Sequence, residues 1–390
     1  MQQRIWMSLA HMSGREQEFI QEAFDTNWVV PLGPNVNAFE KSLEDFLIEN
    51  GELKMANEKM RVVALSAGTA ALHLGLILLG VQPGDEVICQ SFTFAASANP
   101  IAYLEATPVF VDSEKDTWNM DVELLEEAIK DRIHKVGRKP KAIIPVHLYG
   151  MPGKMDEIQE IACKYEIPLL EDAAEALGSE YKGRKCGTFG EFGVLSFNGN
   201  KMITTSGGGA LICPCEERAN RALFYATQAR EQAPHYQHEK IGYNYRMSNI
   251  CAGIGRGQMF VLEKHIARRR AIHDLYVRLL DGIKGIQVMC QPDGGDFNSN
   301  YWLTCITVEP DKAGVTREDV RLALEMGNIE SRPLWKPMHM QPVFKNSPFY
   351  GNGTSERLFE IGLCLPSGPT LTDDNIERVV GVIKNLACKS

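Results

Sequence analysis

Between residues 61 and 214 the chain alternates short β-rich runs with helical patterns, and no other feature restricts its fold as much. The runs are VVALS, EVICQSF, TPVFVD, AIIPVHLYG, IPLLEDAA, GVLSFN and GALICP. Most are continuously apolar, as strands covered on both faces are. Strands separated by helical segments build parallel βαβ units. The expectation is therefore an α/β fold with a seven-stranded, mostly parallel sheet flanked by helices. Candidate helices span residues 68–79, with Gly80 as the stop, 121–132 and 154–165.

Past about Phe260 the pattern changes. A charged helical stretch, LEKHIARRRAIHDLYVRLL, leads through the Gly/Pro/Asn-rich segment QPDGGDFNSN into a strand-like run, YWLTCITVE. With helices expected near 316–326 and 373–385, this predicts a smaller C-terminal α+β domain over 261–390, after a large α/β domain over 61–260. Residues 1–60 read as an N-terminal extension with one amphipathic helix around 37–49. No internal repeat or low-complexity tract interrupts the chain.

Composition narrows the partners. Fifty acidic against 41 basic residues give a net charge of -9, which disfavours non-specific nucleic-acid binding because phosphate backbones attract basic surfaces. The longest strongly apolar run, Ala70 to Val81, contains His73 and falls short of the ~20 residues that span a bilayer. The first residues, MQQRIWMSLAHMSGREQ, lack an apolar stretch and a cleavage site, so neither a signal peptide nor a membrane anchor is expected, and the expected location is the cytoplasm. The ten cysteines are scattered. Their only close pair, Cys213 and Cys215, has no second pair or histidine cluster beside it, so reduced thiols and no metal site are expected.

Open α/β sheets bind ligands at the carboxyl ends of their strands. After VVALS, Gly68 and Thr69 open a helix whose free N–H groups suit a phosphate, although a plain capped helix start reads the same way. After IPLLE, Asp172 precedes the small residues Ala173 and Ala174, where a cationic pyridine ring would find a carboxylate; a turn-capping Asp is the alternative. In GVLSFNGNKMITTSGGGA, Ser196 and Lys201 flank Asn198-Gly199-Asn200. A lysine held in such a loop beside an aldehyde cofactor can bond it, be displaced by an amine substrate and then move a proton.

Six segments then match one family in order: LSAGTAALH, SFTFAASANP, HLYGMPGKMDEI, LLEDAAEALGS, SFNGNKMITTSGGGA and GYNYRMSN. Together they resemble the DegT/DnrJ/EryC1/StrS sugar aminotransferases. The resemblance implies the fold-type-I architecture, pyridoxal 5'-phosphate as cofactor and a homodimer with active sites at its interface. It makes Lys201 the Schiff-base lysine and Asp172 the partner of the pyridine nitrogen, which together form the electron sink. It gives Gly68, Thr69 and Ser196 to the cofactor phosphate, Phe94 to stacking on the ring and Asn244 to the phosphate of the neighbouring subunit.

Glu175 departs from many members, which carry Gln or His there, and could face the cofactor and the substrate amine. His147 and Tyr149 could line the sugar pocket, or be satisfied core residues. Arg246, in GYNYRMSN, joins them as a substrate-binding candidate. Arg332, Trp335, Lys336 and His339, in ESRPLWKPMHMQPVF, could meet a nucleotide by charge-assisted hydrogen bonds and stacking; a packed loop is the alternative. Within the family, TTSGGGA, RPLWKPMH and LCLPSG are most similar to aminotransferases of the UDP-N-acetylbacillosamine pathway. That likeness implies amino transfer from L-glutamate to the 4-keto group of UDP-2-acetamido-2,6-dideoxy-4-ketohexose. Rival readings are a 3-keto or differently nucleotide-linked sugar, and a binding protein that has kept the fold without turnover. Dehydration, carried out by members with His at the lysine position, is opposed by Lys201.

Overall fold

All seven apolar runs form strands of one sheet in the computed structural model, which describes residues 3–48, 54–55 and 58–387. In chain order they are β1 (Arg61–Leu65), β2 (Glu86–Gln90), β3 (Thr107–Val111), β4 (Ala142–Ile144), β5 (Leu170–Asp172), β6 (Phe192–Ser196) and β7 (Gly209–Cys213). Their order across the sheet is β1-β7-β6-β5-β4-β2-β3. Only β7 runs antiparallel to its neighbours, at Ala210 opposite Ala64 and Leu211 opposite Val194. The β4–β5 seam is carried by parallel bridges at Ile143–Leu169 and Val146–Asp172, with Asp172 N donating to Pro145 O at 2.9 Å. The structure adds one strand that the sequence did not announce: Phe349–Tyr350 pairs in parallel with Phe110 and Val111 at the β3 edge.

The helices follow from burial patterns. In chain order they include α1 (Glu16–Asp25), α2 (Pro34–Leu47), α3 (Gly68–Leu78), α4 (Val122–Val136), α5 (Met155–Lys164), α6 (Glu216–Ala226), α7 (Asn249–Met259) and α8 (Leu262–Leu280). Nine of the residues of α3 are buried, and Gly75 brings it so close to the sheet that a Cβ there would lie 2.6 Å from Leu170 Cδ1. The amphipathic α4 starts where the Asp121 carboxylate accepts from Glu123 N and Leu124 N, and stops at Gly137 with φ 73°.

The N-terminal part corrects the sequence reading in one respect. It carries two helices rather than one, and of the helix expected over 37–49 the last residue, Glu49, lies outside the described residues. Both helices rest on α7, whose glycines make the contact possible. A Cβ on Gly255 would lie 2.8 Å from the Phe39 ring, and one on Gly257 would lie 2.9 Å from Glu16 Cα.

After α8 a four-stranded sheet forms in the order Ile286–Val288, Thr304–Val308, Gly362–Leu365, Arg332–Pro333. It packs an apolar cluster with α8 and the helices Arg317–Met326 and Asp373–Ala387. Fully burying such side chains as Ile306, Leu324 and Ile376 contributes about 1.5–3 kcal/mol each. Ile5 joins this cluster, bridging in parallel to Ile329. The N-terminal segment is thus tied to the C-terminal one. Among the described residues no helix is long and apolar enough to cross a membrane.

Candidate active site

At the carboxyl ends of the central strands a cavity of about 350 Å³ is lined by Gly68, Thr69, Phe94, Asp172, Glu175, Ser196 and Lys201. Seven residues chosen from sequence thus meet in one place. Each arrives by the same device: a buried strand ends, and the next residues turn into the open crevice.

Helix α3 opens at Gly68 without a side-chain cap. Its first N–H groups have no intrahelical acceptor, and together with the helix dipole they favour an anion. Gly209, entering β7, presses against this end: a Cβ there would lie 2.3 Å from Gly68 N. Gly208, also in the wall, has no room either, since its Cβ would meet Thr205 Oγ1 at 2.1 Å.

Asp172 ends β5 and is buried. Its Oδ2 accepts from Ser97 Oγ at 2.7 Å and its Oδ1 from Ala174 N at 3.2 Å, while Ser97 Oγ is in turn paired with Thr93 Oγ1 at 2.8 Å. The carboxylate is therefore held by two donors before any ligand reaches it. Ser97 was not singled out from sequence, although it sits inside the SFTFAASANP motif.

Lys201 is held in the loop by its own N–H, which donates to Asn198 O at 3.0 Å. Its Nζ lies 3.5 Å from Glu175 Oε1 and 4.0 Å from the centroid of the Trp302 ring. Glu175 Oε2 accepts from Tyr149 N at 2.7 Å, and Tyr149 takes φ 55° at that point. Burial pushes the Glu175 carboxyl above its ordinary range, against the opposing pull of Lys201 and the Tyr149 N–H.

Other sequence candidates stand elsewhere. His147 does not line the cavity: its ring is wholly buried, with Nε2 2.6 Å from Glu171 Oε1 and Nδ1 accepting from Gly153 N at 3.1 Å. Cys186 lies close enough that thiol, imidazole and carboxylate fall within 4.8 Å of one another. Glu171, however, is already taken by the N–H groups of Gly187, Phe189 and Gly190. Tyr149 backs the wall rather than forming it, its hydroxyl accepting from Trp335 N at 2.8 Å. Arg246 is bound to Glu40 and to Ala64 O, and faces a different hollow. His339 is clamped between Ser91 Oγ, 2.7 Å from Nδ1, and Glu356 Oε1, 3.0 Å from Nε2, and stacks on Phe349. Asn244 is exposed, bridging to Thr227, and Lys336 is half-buried outside the cavity.

Trp335 does line the cavity, tilted against Phe94 at 5.2 Å, and its buried Nε1 has no partner among the described residues. It also borders a second cavity of about 300 Å³, which shares Asn200 and Trp302 with the first and is faced by Trp6, Leu9 and Arg332. The Arg332 guanidinium forks onto Glu330 Oε1 at 3.0 and 2.7 Å and is 69% exposed.

Taken together, the donor set of the first cavity fits pyridoxal phosphate. Free N–H groups suit its phosphate, a doubly held carboxylate its pyridine nitrogen and a primary amine its aldehyde. The close-packed Gly208 and Gly209 leave the backbone bare where helix α3 begins.

Comparison with known proteins agrees. The family described as the DegT/DnrJ/EryC1/StrS aminotransferase family matches residues 11–384. EpsN of Bacillus subtilis (strain 168), which bears the name of a pyridoxal phosphate-dependent aminotransferase, is 48% identical over 99% of this chain and 96% of its own. A GDP-perosamine synthase of Escherichia coli O157:H7 is 36% identical over 94% of this chain and 93% of its own. Among solved structures, a DegT DnrJ EryC1 StrS aminotransferase from Brucella abortus superposes with a TM-score of 0.86 at 31% identity, covering 95% of each chain.

Proposed function

The chain belongs to the DegT/DnrJ/EryC1/StrS aminotransferase family and uses pyridoxal phosphate, and from that premise we propose that it moves an amino group from L-glutamate to the 4-keto group of UDP-2-acetamido-2,6-dideoxy-4-ketohexose. The observation that carries the reading is the meeting of Lys201, Asp172, Glu175 and an uncapped helix start in one cavity. Bound there, the cofactor supplies an aldehyde that carries the amino group between substrates and a ring that accepts electrons.

The chain's own residues do the rest. Lys201 would hold the cofactor through its aldehyde and, once displaced by the substrate amine, would take a proton from one carbon and return it to another. Asp172, with Ser97 and the Ala174 N–H fixing its oxygens, keeps the proton on the ring nitrogen. Gly68, Thr69 and Ser196 bind the phosphate, and Phe94 covers the ring. Glu175 receives the new ammonium group of the sugar. Asn244 is assigned to the phosphate of a neighbouring subunit in a homodimer. Trp335, which lines both cavities, and Arg332, which faces the second, take the nucleotide end, with Lys336 nearby in sequence. Remote binding there would orient the sugar so that one carbonyl meets the cofactor.

A GDP-linked acceptor is the second reading, favoured by the likeness to GDP-perosamine synthase. The test incubates the purified protein with pyridoxal phosphate, glutamate and a panel of UDP- and GDP-linked 4-keto and 3-keto sugars, with products read by mass and NMR. The expected product is the UDP-linked 4-amino sugar. Preference for the GDP-linked series, or amination at the 3-position, would overturn the acceptor while leaving the transaminase. Glu175→Gln should slow the sugar half-reaction about tenfold more than the glutamate half-reaction, as followed by single-turnover spectroscopy.

A further inference from the structure

The lysine loop is gripped from behind by residues remote from it in sequence. The Trp302 ring faces Lys201 Nζ, and its Nε1 donates to Asn200 O at 2.8 Å. The same carbonyl accepts from Ser8 Oγ at 3.0 Å. Arg269 then ties the pieces together: it donates to Ser8 Oγ at 2.9 Å, to Lys201 O at 3.4 Å and to Trp302 O. Trp302 cannot drift, because it is 2% exposed, its N–H donates to Asn300 Oδ1 at 2.8 Å, and its ring lies nearly parallel to that of Tyr149.

Two groups therefore touch the amine, and they differ in kind. Glu175 can exchange a proton with it. The indole face attracts the ammonium through its quadrupole yet neither gives nor takes a proton. A ring in that place orients the amine without altering the proton count of the reaction.

We propose that Trp302 is a positioning residue for Lys201, its ring fixing the amine and its N–H fixing the preceding carbonyl, so that the free lysine waits at a set place whenever it is not bonded to the cofactor. The proposal rests on the reading of Lys201 as the cofactor-bonding lysine. Removing the ring should enlarge the cavity on that side and let the amine swing, while the opposite wall from Gly68 to Ser196 keeps its place. Capture of the cofactor aldehyde, in which the amine nitrogen joins the carbonyl carbon and the oxygen leaves as water, should then slow.

The experiment uses full-length protein freed of cofactor, in wild-type, Trp302→Phe and Trp302→Leu forms, with Trp302→Met as a second ring-free variant should Leu fail to fold. Added pyridoxal phosphate is reduced with borohydride at intervals and the modified peptide identified by mass. Binding of pyridoxamine phosphate, which has no aldehyde, reports on the cavity. Leu or Met should slow capture by about tenfold, and Phe, which keeps a ring face, by no more than about threefold. Because Trp302 also lines the cavity, pyridoxamine phosphate binding should weaken in the ring-free variants too, but by a smaller factor than capture slows, whereas a merely structural role would lower both alike. Capture at the wild-type rate in a folded ring-free variant overturns the proposal, as does a parallel loss of pyridoxamine phosphate binding. Label on a residue other than Lys201 in the wild type would instead overturn the lysine assignment.

Discussion

The two sides of the cofactor cavity are built on different physical terms. One side, from Gly68 to Gly208, consists of strand ends and the loops that follow them, and each polar residue there is carried to the cavity by a strand of the central sheet. The other side is Trp302 and Trp335, backed by Arg269 and Ser8, and it is placed by contacts across most of the chain. On the proposed reading the first side holds the groups that form bonds and move protons, and the second the groups that aim them. Damage to the first should therefore abolish chemistry in a folded protein, and damage to the second should cost stability or precision first.

The sharpest test of that contrast is Lys201→Ala. Turnover should fall by on the order of 10³-fold or more, since anchor and proton carrier go together, while the thermal unfolding midpoint of cofactor-free protein stays close to wild type. Asp172→Asn comes next. A neutral amide of the same shape cannot keep the ring nitrogen protonated, so turnover at saturating pyridoxal phosphate should drop by about 10²-fold or more, with steady-state kinetics as the check.

On the other side, Arg269→Lys should break the pattern in the opposite direction. Burial pulls the Arg269 guanidinium down to about 9, which leaves it cationic at neutral pH, and its fork spans two sets of acceptors, one nitrogen on the Trp302 and Ser367 carbonyls and the other on Ser8 Oγ and Lys201 O. A lysine cannot span both, so urea unfolding should show a loss of about 3 kcal/mol, larger than any change in cofactor affinity.

The smallest effect belongs to His265, which joins α8 to the lysine loop by pairing with Met202 O at 3.3 Å and stacks on His11. Burial lowers it to about 4. An unfolded chain takes up that proton near pH 6.5, so between about 6.5 and 4 the unfolded state binds more protons and stability falls as pH falls. Screened by solvent, the contribution across that window is on the order of 1 kcal/mol. His265→Phe should flatten the acid slope, measured by urea midpoints at pH 7 and 4.5. An unchanged slope would mean that the acid sensitivity lies elsewhere.

Legibility follows the same division. Strand runs, the first helix stop and the lysine loop could be read because apolar continuity, Gly80, and residues grouped within a few positions carry local signals, whereas the helix expected over 121–132 runs on to Val136 and stops at Gly137. Ser97 was missed only as an individual, since its motif was noticed. Helix α7 was missed for a better reason: NICAGIGRGQM has three glycines, poor helix formers, and they are there because a Cβ on each would lie within about 3 Å of Asn35, Phe39 or Glu16. His147, Arg246 and His339 carried the right chemistry but were turned to Glu171, Glu40, and Ser91 with Glu356.

By itself the sequence determined the mostly parallel sheet, the family and the side of the cavity that bears Asp172 and Lys201, because burial periodicity and short-range spacing act between neighbours along the chain. Only the tertiary structure decided which candidate side chains reach the cavity and that Trp302, Arg269 and Ser8 stand behind Lys201. Those contacts join residues about a hundred or more positions apart, and a side chain's direction there is settled by which buried carbonyls and rings need a partner.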